Sequence, residues 1–298
     1  MASRSLRIRE PFGDRMLLGM IYVLLTLVLI ATLYPLIFIV SSSFSSPAAV
    51  SGGHVWLWPV EPSLIGYRAV FHNGQILTGY ANSLFYTVFG TMISIVLTTM
   101  IAYPLSRRTF FGRSGLMVFI VFTMLFSGGL IPTYLVVKAV GLIDTRWALL
   151  LPNAIWVWQV IIARTFFQTN IPDELAEASE IDGCSDIRFI LQVVLPLSKP
   201  IMAVLALMYA VGQWNAYFDA LIYLKTSHLY PLQLFLRSIL IQNNASGTIN
   251  AADAAQQLQL TGLMKYSLIV VSSLPVLVIY PFVQRYFVQG MLIGAVKG

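Results

Sequence analysis

Long apolar runs, separated by short polar connections, set the pattern of this chain. The first is "MLLGMIYVLLTLVLIATLYPLIFIV", from about Met16 to Val40, and the second extends from about Asn82 to Tyr103. The third, "GLMVFIVFTMLFSGGLIPTYLVV", begins near Gly115 and contains a Gly-Gly-x-x-Pro break at Gly128, Gly129 and Pro132. A fourth covers about Trp147 to Phe167, a fifth starts near Pro200 and fades around Leu224, and a sixth runs from about Tyr266 to Phe287. A helix of roughly 20 apolar residues crosses the hydrocarbon of a bilayer with every backbone group satisfied internally. The pattern therefore predicts an all-α integral membrane protein with six transmembrane helices. A membrane β-barrel needs alternating segments of about ten residues instead, which these unbroken runs are not.

Composition agrees with a lipid environment. The 298 residues are 58% hydrophobic and 10% charged, with a mean hydropathy of +0.79, and a soluble domain could not cover its surface from so few polar groups. The net charge of +6 would suggest nucleic acid in a soluble protein; here its distribution fits the positive-inside rule. Arg4, Arg7, Arg9 and Arg15 precede the first run, Arg107, Arg108 and Arg113 fill the connection from the second to the third, and the loop after the fourth carries Arg164, at the end of that run, with Arg188 and Lys199. Arg68, Lys138, Arg146, Lys225, Arg237 and Lys265 are spread more thinly over the other connections. Six spans with this asymmetry put both termini in the cytoplasm. The first run, at about 25 residues, exceeds a cleavable signal core of roughly 7 to 15 and reads as a retained anchor.

Little catalytic chemistry is on offer. No phosphate-binding G-x-x-x-x-G-K-[ST] loop occurs, so the chain is not expected to bind ATP itself. His54, His72 and His228 are scattered through connections, and no catalytic or metal-binding set is expected. Cys184 is the single cysteine, which rules out an internal disulfide and suits a small buried or interfacial thiol. Ionisable groups within the spans are few: Asp219 late in the fifth, and Arg164 and Arg285 near ends where long side chains reach water. A coupled secondary transporter would need buried acids or repeated halves, neither of which is seen, although the broken third run keeps that alternative open.

Half of the twelve acids fall in one stretch, "IPDELAEASEIDGCSDIRFILQVVLP", as Asp173, Glu174, Glu177, Glu180, Asp182 and Asp186. Pro172 suits a first helical position, and Asp173 and Glu174 complement the positive end of the helix dipole. Helical spacing puts Asp173, Glu177 and Glu180 on one face and Leu175, Ala178 and Ser179 on the other. Gly183 is expected to stop the helix in a left-handed turn, and Ser185 with Asp186 to cap a second one leading to Leu195 and Pro196. The product is a helix-turn-helix at the membrane surface, presenting acids outward.

Glu177-Ala178-Ser179, Gly183 and Val193-x-Leu195-Pro196 resemble the E-A-A, G and I-x-L-P signature of the permease subunits of bacterial ABC importers. The stretches "NSLFYT" at Asn82, "FSGGLIPTYL" at Phe126, "LIDTRWALLLP" at Leu142, "LPLSKP" at Leu195 and "WNAYFDALIYL" at Trp214 extend the resemblance over most of the chain. They are similar to the carbohydrate, maltose-type branch, and within it to the polysaccharide subgroup that includes a permease of the alginate importer. Ser179, Cys184 and Val193 depart from the family's usual Ala, Ala and Ile but keep small or apolar character.

The resemblance implies a type I ABC importer permease in the bacterial cytoplasmic (inner) membrane. It implies a second homologous permease, two ATPase subunits carrying ATP and Mg, an extracytoplasmic solute-binding protein, a sugar cargo and surrounding lipid, with no nucleic acid partner and no cofactor on this chain. Residues 1–15 would then be a cytoplasmic segment and 16–298 the transmembrane domain, with a coupling loop at 169–197 and an outer loop at 225–265. Glu174, Glu177, Ala178, Ser179, Asp182, Gly183, Leu195 and Pro196 would meet the ATPase. The polar "NNASGTINAADAAQQLQLTG" portion of the outer loop reads either as disorder or as a reach toward the binding protein. Gln213, Trp214, Asn215, Tyr217 and Asp219 are candidates for the sugar path, because aromatic faces stack on sugar rings and amides or carboxylates bond hydroxyls. A permease for another solute, a membrane enzyme and a membrane scaffold are the remaining alternatives.

Overall fold

The structure is a computed structural model that describes residues 12–242, 262–281 and 284. The described residues are helical, with turns and no strand. In chain order the helices are α1 (Phe12–Ser43), α2 (Pro47–Ser51), α3 (Ile65–His72), α4 (Gly74–Ser106), α5 (Arg113–Leu125), α6 (Leu130–Ala139), α7 (Trp147–Leu150), α8 (Val157–Asn170), α9 (Asp173–Ile181) and α10 (Asp186–Phe189). They continue as α11 (Leu195–Leu197), α12 (Lys199–Asn215), α13 (Phe218–Tyr223), α14 (Leu232–Gln242) and α15 (Gly262–Pro281). The chain divides into two compact units, Met1–Val70 with Ala245–Val270, and Phe71–Asn244 with Val271–Gly298.

Among the described residues, α1, α4 and α15 are each long and apolar enough to cross a membrane, and two bent pairs bring the number to at most five. Six spans, the third of them broken at Gly128, Gly129 and Pro132, are expected from the sequence, and the count of six is not confirmed among the described residues. The third run is α5 plus α6, bent by 112° where Gly129, at φ +84, reverses the chain ahead of Pro132. The fourth run is α7, an irregular turn and then α8, whose 14 residues span only about 21 Å at 1.5 Å per residue. The fifth ends at Asn215 and restarts as α13. Hydropathy counts apolar side chains and passes over such breaks, of which the one in the third run is announced by Gly128, Gly129 and Pro132.

In the first unit, the serines ending α1 anchor the connection that follows it. Ser41 donates to the carbonyl of Leu57 at 2.6 Å, Ser43 pairs with the Tyr67 hydroxyl at 2.8 Å, and Ser45 accepts from the Val60 amide at 3.0 Å. The body of α1 is exposed along its length, as a lipid-facing or partner-facing helix must be.

The second unit is built around α4, which packs on α8 and α12. The face of α4 turned to its neighbours carries Ser83, Gly90, Ser94, Thr98 and Ala102, all buried. Small residues let membrane helices approach closely, since lipid supplies no hydrophobic force between them. Gly90 lies against the Gln213 side chain and Gly212 against the Trp156 indole, so that an added methyl at either would collide. Thr98 hydrogen-bonds the Tyr209 hydroxyl at 2.6 Å between α4 and α12. At one end of the unit Tyr103, Phe167, Ile171, Phe189, Val194 and Leu205 close a core.

Candidate coupling surface and sugar path

The acidic stretch folds as two short helices around a tight turn. Pro172 sits at the N-cap of α9 with ψ 148, one residue earlier than expected, and α9 begins at Asp173. Gly183 adopts φ +70. Its amide bonds the Glu180 carbonyl at 3.0 Å, and the Cys184 amide bonds that of Ser179 at 2.9 Å. These two bonds define a Schellman ending, in which a left-handed residue satisfies the last carbonyls of a helix. Ser185 is extended at the N-cap of α10 but its side chain makes no capping bond.

From α10 the chain widens into a π turn over Ile190–Val194 before α11. Pro196 supplies the cause, for it lacks an N–H and its ring crowds the carbonyl four residues back, in the turn before it. An 86° bend separates Asp186–Leu197 from α12. The Leu-Pro motif thus lies just ahead of a corner at Ser198 that turns the segment from α10 to α11 away from α12.

The faces of α9 differ from those expected. Ala176 and Cys184 pack on the core, whereas Leu175 and Ala178 are exposed beside Glu174 and Glu177. Asp173 turns inward: its carboxylate lies 3.2 Å from Arg107 and 3.8 Å from Arg108. Glu174, Glu177, Ala178, Asp182, Gly183 and Pro196 are exposed, with Ser179 and Leu195 half-buried. The outward surface is thus acidic with apolar patches at Leu175, Ala178 and Ile181, the last 87% exposed. An open polar cavity of about 500 Å³ adjoins it, lined by Ser106, Arg108, Arg113, Gln168 and Glu174 among others.

Sequence reasoning gave Arg107 only a place in the charge count, yet it is the most connected side chain here. Lying 8% exposed, it donates to the carbonyls of Phe167 at 3.2 Å and Ile171 at 3.1 Å, pairs with Asp173 and stacks over the Tyr103 ring at 5.0 Å. In return Arg164 of α8 donates to the Leu105 carbonyl at 3.0 Å. Two arginines thereby cap the carboxyl ends of each other's helices, where unpaired carbonyls and the negative dipole end favour a cation. Its position directly after "AYPLS", at a helix end, was the available signal.

The five sugar-path candidates do not form one surface. Trp214 is 3% exposed, donates its indole N–H to the Ser272 carbonyl at 2.9 Å and meets Tyr80 edge-on. Gln213 is buried against Gly90. Both are enclosed by neighbours within this chain. Asn215, Tyr217 and Asp219 are accessible, Asp219 accepting from Asn153 at 2.7 Å. The Tyr217 ring lies 5.2 Å beneath the guanidinium of Arg237, which sequence reasoning used only as an outer-loop charge. Arg237 lines a cavity of about 350 Å³ with Leu221, Tyr230, Leu234, Phe235 and Ser238.

A second polar knot holds the connection before α7 to the one after α13. Asp144, at φ +60, accepts from the Lys225 amide at 2.8 Å, the Thr226 amide at 2.9 Å and the Thr226 hydroxyl. The Thr226 hydroxyl first, then the two amides, hold its carboxyl below the ordinary carboxylate value. The 243–261 part of the expected outer loop and Arg4, Arg7, Arg9 and Arg285 lie outside the described residues.

No protein-family model matches the chain. Among known proteins it is 43% identical over 267 residues to protein LplC of Bacillus subtilis (strain 168), with 90% of each chain covered. It is 42% identical over 284 residues to the polygalacturonan/rhamnogalacturonan transport system permease protein YtcP of the same organism, covering 94% of this chain and 97% of YtcP. A chain in the crystal structure of a bacterial ABC transporter involved in the import of the acidic polysaccharide alginate superposes with a TM-score of 0.86 at 35% identity, covering 94% of this chain and 99% of that one.

Proposed function

This chain belongs to the membrane permease subunits of carbohydrate ABC importers, and we propose that its own cargo is an acidic polysaccharide or the oligosaccharides cut from it. The observation that carries the proposal is the likeness, over nearly the whole chain, to a chain of a bacterial ABC transporter involved in the import of the acidic polysaccharide alginate. YtcP, a polygalacturonan/rhamnogalacturonan permease, supports the same class. Arg237 over Tyr217, beside Tyr230, Phe235 and Ser238, is suited to a carboxylated sugar: the guanidinium forks onto a carboxylate while aromatic faces take the ring.

In this reading a second homologous permease completes the pathway and two separate ATPases bind ATP with Mg. A solute-binding protein delivers sugar to the outer side. The outward acids and apolar residues of α9, with Asp182, Gly183, Leu195 and Pro196, dock into an ATPase cleft of basic and apolar character. Both termini and Gly183 then face the cytoplasm of the inner membrane, and His54 and Asn244 the other side. Closure of the ATPases around ATP draws the docked helices together and biases the spans between two access states. An uptake assay decides the cargo: vesicles holding the complete transporter should take up labelled alginate or polygalacturonate oligomers with ATP. Uptake confined to neutral oligosaccharides would refute it.

A further inference from the structure

Among the described residues, both ion pairs end on the same acid, Asp173, the first residue of the helix read above as the ATPase-docking element. That acid is half-exposed, while its main partner Arg107 is buried. Arg107 is the C-cap of α4, the longest helix of the second unit, and it also holds two carbonyls at the end of α8. One guanidinium therefore touches three elements: the end of α4 that bears it, the end of α8 and the start of α9. Ala176 of α9 also packs on the core, a small apolar contact that resists sliding weakly. A planar group with five fixed donors resists sliding and rotation, which an ammonium on a flexible stem does not.

We propose that Arg107 is a positioning residue for coupling, through which displacement of α9 is passed to α4 and α8. The inference rests on the reading of α9 as the docking helix, and it adds a specified route from that surface into the bundle. Asp173 is then the acid of the cluster that serves the permease itself, whereas Glu174 and Glu177 face the ATPase. Arg108, with its side chain 84% exposed and 3.8 Å from Asp173, is an accessory that cannot replace the buried fork.

The test uses the complete transporter in proteoliposomes with its loaded binding protein, scoring sugar moved per ATP hydrolysed alongside the amount of assembled complex. Asp173→Asn and Arg107→Lys should each lower sugar per ATP several-fold and blunt stimulation by the binding protein, with assembly unchanged. The double variant should be no worse than the poorer single one, because both break one link. Asp173→Glu should restore most of the ratio. Loss of transport and ATPase in proportion to assembled complex would reduce Arg107 to a purely structural role and overturn the proposal. Glu177→Lys, run in parallel, separates the two readings. If it releases the ATPases while Asp173→Asn keeps full coupling, only the Arg107 route fails; if it has no effect, the docking reading fails and takes the route with it.

Discussion

Trp214 and Tyr217 stand three positions apart and have opposite fates. The indole is enclosed, with its N–H spent on the Ser272 carbonyl, so Trp214→Ala opens a cavity at a cost of about 3 kcal/mol or more. Tyr217 is 40% exposed beneath Arg237, and its truncation leaves the packing intact. Trp214→Ala should therefore lower the amount of folded protein and reduce uptake of every cargo equally. Tyr217→Ala should leave folded protein unchanged and weaken uptake of acidic sugars several-fold. Quantifying protein in the membrane beside initial uptake rates separates the cases. Nothing in "QWNAYFDA" says which aromatic turns inward, because burial there is decided by Tyr80 and Ser272, far away in the sequence. Asp144 offers a second test at this scale. Its folded-state pKa lies below the ordinary 3.8, so its contribution is complete above that value and is lost as pH falls through the lowered one. Amide exchange at Lys225 and Thr226, corrected for intrinsic rate, should stay protected through pH 4 and open only in stronger acid. Asp144→Asn should remove the pH dependence.

At the scale of elements, the acidic helix-turn-helix was legible because its punctuation is local. Gly183 had to be left-handed for the last carbonyls of α9 to be satisfied, and it is. Which acid turned inward was not legible, since helical spacing groups Asp173 with Glu177 and only the burial of Arg107 separates them. The broken fourth run is a different case: Pro152 and Asn153 mark the irregular turn between α7 and α8, but a hydropathy average over the run passes over them. Gly183→Val forces a β-branched residue into the left-handed region, at a local cost on the order of 1 to 2 kcal/mol. Glu177→Lys replaces attraction to a basic cleft with repulsion. Both lie outside the apolar spans, so the level of permease in the membrane should hold while transport falls and the ATPases co-purify less. Charge reversal of a cleft base should partly restore Glu177→Lys. Normal transport by both variants would make this segment a solvated loop.

For the whole molecule, orientation follows from where the cations stand. Arg107, Arg108, Arg113 and Arg164 gather at the end of α4 that meets α8 and α9, with Arg188 and Lys199 in the same segment of chain. Arg107 and Arg164 are tied into the structure, but Arg108 and Arg188 remain on the surface to be retained by the positive-inside bias. The opposite end of α4 carries the Asn73 cap and meets a single arginine, Arg146, through Asn82 and the face of the Phe85 ring. The cation-rich end, and α9 with it, is therefore expected in the cytoplasm; His54 is expected outside from the alternation of apolar runs along the sequence alone. Single cysteines in a Cys184→Ser background test this without straining the left-handed turn. His54→Cys should react in intact cells with an impermeant maleimide, and Asp182→Cys should react only after the membrane is opened. The reverse pattern would invert the protein in the membrane, placing the acidic surface where no ATPase could reach it.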